Sequence, residues 1–103
     1  MRIILLKSEV AHEITKRLGL PDVHFSRGST EPKELFVQIA NTIGINIIDI
    51  NTKPGIARKI VELSGESWHP DYESSGSTVT LQGLMAVNRA VEFFLAGKPE
   101  ITS

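Results

Sequence analysis

The sequence predicts a mainly α fold with minor β, an α+β chain built from two tandem helix–long loop–helix units related by pseudo-twofold symmetry. Three observations carry this. First, the chain repeats itself. Ala11-His12-Glu13-Ile14 reaches Gly19 and then Ser26-Arg27-Gly28-Ser29-Thr30, while Ala57-Arg58-Lys59-Ile60 reaches Gly65 and then Ser74-Ser75-Gly76-Ser77-Thr78. The offset is 46 at the alanines and 48 at the glycines of the two Gly-Ser-Thr triplets. Second, apolar residues recur at helical spacing in four stretches. Third, the helices of each pair are separated by a long polar connection, residues 20–29 and 66–77.

Each element has a local reason. Ser8 suits the N-cap of the first helix, with Glu9 in its first turn. Val10, Ala11, Ile14 and Leu18 share one face, and Gly19 and Pro21 stop the helix. The second helix is expected to start near Thr30, with Pro32 tolerated in its first turn. Leu35, Phe36, Ile39, Ala40 and Ile43 form its inner stripe, and Gly44 closes it. Residues 45–50 are rich in isoleucine and partly alternating, which predicts a short strand. Residues 1–6 have the same character, so the two segments could form one short two-stranded sheet. Thr52 caps a third helix whose inner residues are Ile56, Ala57, Ile60 and Leu63, ended by Gly65. The fourth helix, about residues 81–95, turns Leu81, Leu84, Val87, Val91, Phe94 and Leu95 inward, with Met85 and Ala90 beside them. Gly97 and Pro99 end it. The expected organisation is one domain over 1–103, made of repeats at about 1–45 and 46–97, with a frayed tail over 98–103.

Composition narrows the function. With 103 residues and 41% hydrophobic content, the chain can bury a core without staples. It has no cysteine, so thiol chemistry and disulfides are excluded. Residues 1–6 are followed at once by Lys7-Ser8-Glu9, which makes no signal pattern, and no apolar run approaches a membrane span. The expected location is cytoplasmic. Eleven Lys and Arg face twelve Asp and Glu, for a net charge of −1. Such a balance argues against coating nucleic acid by bulk charge, yet permits a local basic site.

The doubled Ser-x-Gly-Ser-Thr is the strongest candidate site. Glycine permits a left-handed turn ahead of a helix, and Ser29 or Thr30, with Ser77 or Thr78, are suited to cap the helices that follow. A helix start also offers free amide hydrogens and a positive dipole end to an anion. Two such starts could hold two phosphates of a DNA backbone. Arg27 and Lys33 flank the first; Ser75 and Thr80 accompany the second. The candidate DNA-binding set is therefore Arg27, Ser29, Thr30, Lys33, Ser75, Ser77, Thr78 and Thr80. Phe25 and Trp68 are expected to plug the gaps between paired helices.

No reaction is legible. Pro21-Asp22 followed by Glu31-Pro32-Lys33 spells a metal-nuclease pattern formally, but that chemistry needs the two carboxylates on adjacent strands, and Glu31-Pro32-Lys33 reads as a helix start. Phosphate-loop, dinucleotide and serine-hydrolase motifs are missing, and His12, His24 and His69 lack ligand spacing. The sequence predicts no enzyme, no metal and no cofactor.

The unit running from Val10 to Ile43, with Gly19-Leu20-Pro21, an extended loop, Gly28-Ser29-Thr30 and a second helix, resembles the helix–extended loop–helix plan of SAP- and LEM-type modules. The stretch from Trp68-His69-Pro70-Asp71 to Val79-Thr80-Leu81-Gln82-Gly83-Leu84 resembles accessory segments of restriction-endonuclease-type proteins. Both resemblances imply DNA binding without catalysis, through the loops and the helices that follow them. The alternative expectation is a protein–protein interaction or dimerisation module. Near-neutral charge favours the latter; the basic residues Lys16, Arg17, Arg27, Arg58 and Lys59 favour the former.

Overall fold

The computed structural model describes residues 7–21, 33–74 and 78–96. Its elements in chain order are α1 (Lys7–Leu18), α2 (Lys33–Ile43), α3 (Lys53–Leu63), a 3-10 turn (Pro70–Tyr72), β1 (Glu73–Ser74), β2 (Thr78–Val79) and α4 (Leu81–Ala96). The chain is thus mainly helical with a small antiparallel pair, Glu73 opposite Val79 and Ser74 opposite Thr78. Among the described residues no helix is long and apolar enough to cross a membrane.

The helix starts recur at the spacing of the sequence repeat. Lys7 and Lys53 open α1 and α3, and Lys33 and Leu81 open α2 and α4. The first helix of each unit buries the same positions: Val10, Ala11, Ile14 and Thr15 in α1, Ile56, Ala57, Ile60 and Val61 in α3. Thr15 fits this apolar row because its hydroxyl donates to the His12 carbonyl at 2.9 Å. Both helices end alike. Gly19 and Gly65 lie at φ 71° and 101°, a region that side chains disfavour. The next amide then donates back across the last turn, Leu20 to the Thr15 carbonyl at 2.9 Å and Glu66 to the Val61 carbonyl at 3.3 Å.

One core joins all four helices. α1 packs on α2 and α4, and α3 packs on the same two, so the helices form a closed ring. Leu35, Phe36, Ile39 and Ala40 of α2 and Leu84, Ala86, Val87, Ala90 and Val91 of α4 are all buried in that core. α4 also carries the 3-10 turn and β2.

Several expectations are corrected. α1 begins at Lys7, so Ser8 lies in its first turn and is not its cap. Residues 45–50 form no strand. Asn46 Oδ1 accepts from the Ile48 amide at 3.0 Å, and the Ile50 amide donates to the Ile47 carbonyl at 3.0 Å. Asn turn chemistry outweighs the β-branched composition. Ile45 is buried, Ile47 and Ile50 are half-buried and Ile48 is exposed, which breaks the alternation a strand requires. The expected partner, 1–6, lies outside the described residues, as does the tail from 97 onward. Leu63 and Leu95 are exposed at 54% and 39%, and Phe94 is half-buried, because the inner stripe of each helix is rotated onto smaller residues, Val61 in α3 and Ala86 and Ala90 in α4.

Gly83 explains that rotation at the start of α4. A Cβ there would collide with the Tyr72 carbonyl oxygen and come within 2.7 Å of Val79 Cγ1. The missing side chain lets α4 begin against the backbone of the 3-10 turn.

Two stability predictions follow from this packing. Phe36→Ala should cost about 3–5 kcal/mol in urea unfolding, whereas the half-buried Phe94→Ala should cost only about 1–2 kcal/mol. Equal losses at the two positions would contradict this arrangement. Gly83→Ala adds a single methyl yet should destabilise by about 1–3 kcal/mol, because backbone cannot yield as a flexible side chain can. An unchanged denaturation midpoint would show that α4 and the turn are not in such contact.

Candidate functional site

The residues singled out from sequence divide into three groups. Arg27, Ser29, Thr30, Ser75 and Ser77 lie outside the described residues. Lys33 is exposed as the first residue of α2. Thr78 and Thr80 lie between the 3-10 turn and α4, and their hydroxyls are engaged within the fold.

Thr78, the described residue of the second Gly-Ser-Thr, does not cap a helix. Thr78 sits in β2, and its hydroxyl donates to the Ser74 carbonyl at 3.1 Å, bracing the strand pair. The cap of α4 is Thr80. Its hydroxyl oxygen accepts from the Gly83 amide at 3.2 Å, and its carbonyl accepts from the Leu84 amide at 2.8 Å. The same hydroxyl donates to the Asp71 carbonyl at 2.6 Å, and the Thr80 amide donates to the Tyr72 carbonyl at 2.9 Å. A capping threonine that also ties down the preceding turn has little left to offer an anion.

A polar cluster inside the second connection was not foreseen. Glu66 receives a fork from Arg89 of α4, Nε to Oε1 at 3.2 Å and Nη2 to Oε2 at 2.7 Å. The Tyr72 hydroxyl donates to the same Oε2 at 2.8 Å. Paired donation of this kind is the strong geometry for a carboxylate. The Arg89 hydrogen bond holds the Glu66 carboxyl below the ordinary glutamate range, partial burial opposes this, and the Tyr72 bond adds to it. Tyr72 is in turn pushed up, chiefly because its proton is committed to Glu66. Trp68 is half-buried against the core and packs edge-on to Tyr72 with ring centres 5.2 Å apart. His69 Nδ1 accepts from the Asp71 amide at 3.1 Å and caps the 3-10 turn. Among the described residues, no group of three or more His, Cys, Asp or Glu is placed to hold a metal ion.

The basic residues are largely occupied. Arg58 pairs with Glu62 at 3.0 Å, and Arg17 with Glu13 at 3.3 Å and Glu92 at 2.7 Å. Lys59 donates to the Asn46 carbonyl at 2.7 Å, holding the connection between α2 and α3 against α3.

That connection places a site no sequence pattern displayed. Residues 44–52 return the chain so that α3 begins beside the start of α2. Lys33, Asn51, Thr52 and Lys53 line one open cleft of about 260 Å³ there. Thr52 caps α3, its hydroxyl oxygen accepting from the Gly55 amide at 3.1 Å. The first described residues of α2 and α3, both lysines, therefore border one small open cleft. Lys33 was legible as a candidate; its neighbours were legible only as a helix start, because their approach to Lys33 is tertiary.

The cluster around Glu66 makes a pH-dependent prediction. A carboxyl with a lowered folded pKa stabilises the fold above its unfolded value, near 4.5, and loses that contribution as pH falls through the lower folded value. Glu66→Gln should therefore lower stability at pH 7 by no more than about 1 kcal/mol, since Arg89 is half exposed. The deficit relative to the parent should shrink as urea titrations move from pH 5 toward pH 3. A deficit that stays constant over that range would remove the ionic fork as its cause. No family model, no curated protein and no solved structure matches this chain.

Proposed function

We propose that this chain is a non-catalytic DNA-binding domain that holds backbone phosphate where α2 and α3 begin. The observation that carries this reading is the cleft shared by Lys33, Asn51, Thr52 and Lys53. Helix starts favour anions, and lysine adds a mobile full charge to each. The first Gly-Ser-Thr leads directly into α2 in the chain, so Arg27, Ser29 and Thr30 belong to the same proposed surface. Ser75 and Ser77 stay in it on sequence grounds. Thr78 and Thr80 leave it, since both hydroxyls serve the fold. The two loops are thus no longer equivalent, because α4 is capped by Thr80, whose hydroxyl is engaged within the fold.

The electrostatics of this reading are modest. Arg17, Arg58 and Arg89 are each paired with a carboxylate, and the net charge is −1. Few phosphates are then neutralised, and affinity should depend only gently on salt.

The measurement is a series of duplex-DNA titrations at increasing salt. Two or three phosphate contacts should give a log–log slope of about −2 to −3. Lys33→Ala should weaken binding and reduce the slope by about one unit, and adding Arg27→Ala should remove about one more. Lys33→Ala should keep the parent's thermal midpoint, because an exposed residue at a helix start contributes little packing. No binding at low salt, or an unchanged slope in the double variant, would overturn the DNA reading.

A further inference from the structure

The connection that follows α3 reaches α4 without sinking into the core. Of residues 66–72, Ser67, His69, Pro70 and Asp71 are exposed, and Glu66, Trp68 and Tyr72 are half-buried. Every buried apolar residue of the described core lies in a helix, at Ile45 or at Val79. A segment that adds no fully buried side chain opens at less cost than the core it lies on.

Two sets of bonds hold this segment to α4. Glu66 takes the fork from Arg89, and the Tyr72 hydroxyl donates to the same Oε2. At the base of α4, Thr80 donates to the Asp71 and Tyr72 carbonyls. The Glu66 carboxylate is the centre of the first set, and with its side chain 31% exposed, solvent protons reach it.

Two titrations act on that carboxylate from opposite sides of neutrality. Protonation of Glu66 removes the charge that Arg89 answers. Ionisation of Tyr72 removes the proton it donates and sets a phenolate against a carboxylate 2.8 Å away. Chiefly through the Arg89 bond, Glu66 is held below its ordinary 4.5; chiefly through the Glu66 bond, Tyr72 is held above its ordinary 10.0. The closed arrangement is therefore favoured above 4.5 and lost as pH falls through the lowered Glu66 value. It is favoured below 10.0 and lost as pH rises through the raised Tyr72 value. Other charged groups on the adjoining elements have partners of their own: Glu62 of α3 pairs with Arg58, Glu92 of α4 with Arg17, and Asp71 lies 3.6 Å from His69. Glu73 of β1 follows Tyr72 in the chain.

We propose that residues 66–72 form a strap that stays fastened to α4 only while Glu66 is ionised and Tyr72 is protonated, and that lifts off as a unit when either titrates, the helical core staying folded. Gly65, at φ 101°, is the hinge on the α3 side, and β1 bounds the strap on the other. No residue of the strap lines the phosphate cleft, so the device is independent of the DNA reading.

Trp68 and Tyr72 are the only tryptophan and tyrosine of the chain, so the strap carries its own optical reporters. The Trp68 Nε1 is buried and donates to no acceptor among the described residues. Opening should give it water and shift its emission to the red. The test follows Trp68 emission and acrylamide quenching of the full chain from about pH 2 to about pH 12, with far-ultraviolet circular dichroism on the same samples. Emission should stay constant around neutrality. Quenching should rise roughly twofold in an acid step and again in an alkaline step, with the helical signal retained through both. The alkaline step should coincide with Tyr72 ionisation read by ultraviolet absorbance. Glu66→Gln should abolish the acid step. Tyr72→Phe should abolish the alkaline step and move the acid step to higher pH, because the carboxylate loses a donor. Glu73→Gln and His69→Gln should leave both steps in place. Should a variant fail to fold, the two steps of the parent are still read without it. Emission that ignores pH, or that changes only together with the helical signal, would overturn the proposal, and so would an acid step that survives Glu66→Gln.

Discussion

The absence of a side chain at Gly83 is the constraint on which the second half of this molecule depends. α4 can start hard against the Tyr72 carbonyl only because no Cβ stands between them. That approach places Thr80 where one hydroxyl both caps α4 and fastens the Asp71 carbonyl. It also brings Arg89, two turns further along α4, over Glu66 and Tyr72. The long polar connection is thereby anchored at backbone, cap and ion pair, and α4 becomes the element that α1, α3, the turn and β2 all share. Close packing makes these features interdependent: interiors as dense as crystals transmit a local displacement instead of absorbing it.

The ring of helices gives the surface a polarity that the overall charge conceals. A net charge of −1 describes a chain with no electrostatic preference. Yet the starts of α2 and α3 meet with Lys33 and Lys53, whereas the ends of α1, α2 and α4 meet around apolar side chains, with Arg17 held by Glu13 and Glu92. Peptide dipoles aligned along each helix make these two poles opposite in sign regardless of composition. Pairing among Arg17, Arg58, Arg89 and their glutamates then quiets the rest of the surface. A basic residue in this chain is informative only once its partner is known, and Glu92, which meets Arg17, and Glu66, which meets Arg89, lie far from them in the chain.

The helix starts of the two halves share a similar spacing, but their surface residues differ. Lys33 and Leu81 occupy matching helix starts, one exposed and charged, the other partly buried against the core. Phe36 and Leu84 occupy matching inner positions and both are fully buried. Core positions have kept their character because volume and apolarity are fixed by neighbours on both sides. Helix starts at the surface carry no such restriction, so one unit could keep a cation while the other turned its hydroxyls to holding a turn.

The sequence by itself determined the helices. Apolar spacing, the Thr52 cap and the glycines at 19, 44 and 65 are local signals, and local signals act through the same few residues in any context. The duplication was legible for the same reason, since it lies in residue order alone. What only the tertiary structure decided is which hydroxyl caps α4, which side chains turn inward at its two ends, and which carboxylates Arg17 and Arg89 meet. Thr78 is an expected cap of α4 in sequence, but in the fold it is Thr80 whose hydroxyl receives the Gly83 amide. Phe94 and Leu95 look as buried as Phe36 until α4 settles on alanines. Residues 45–50 look like a strand until a turn at Asn46 brings Lys53 back beside Lys33. Each of these outcomes rests on contacts between residues far apart in the chain, and such contacts leave no mark in local composition or periodicity.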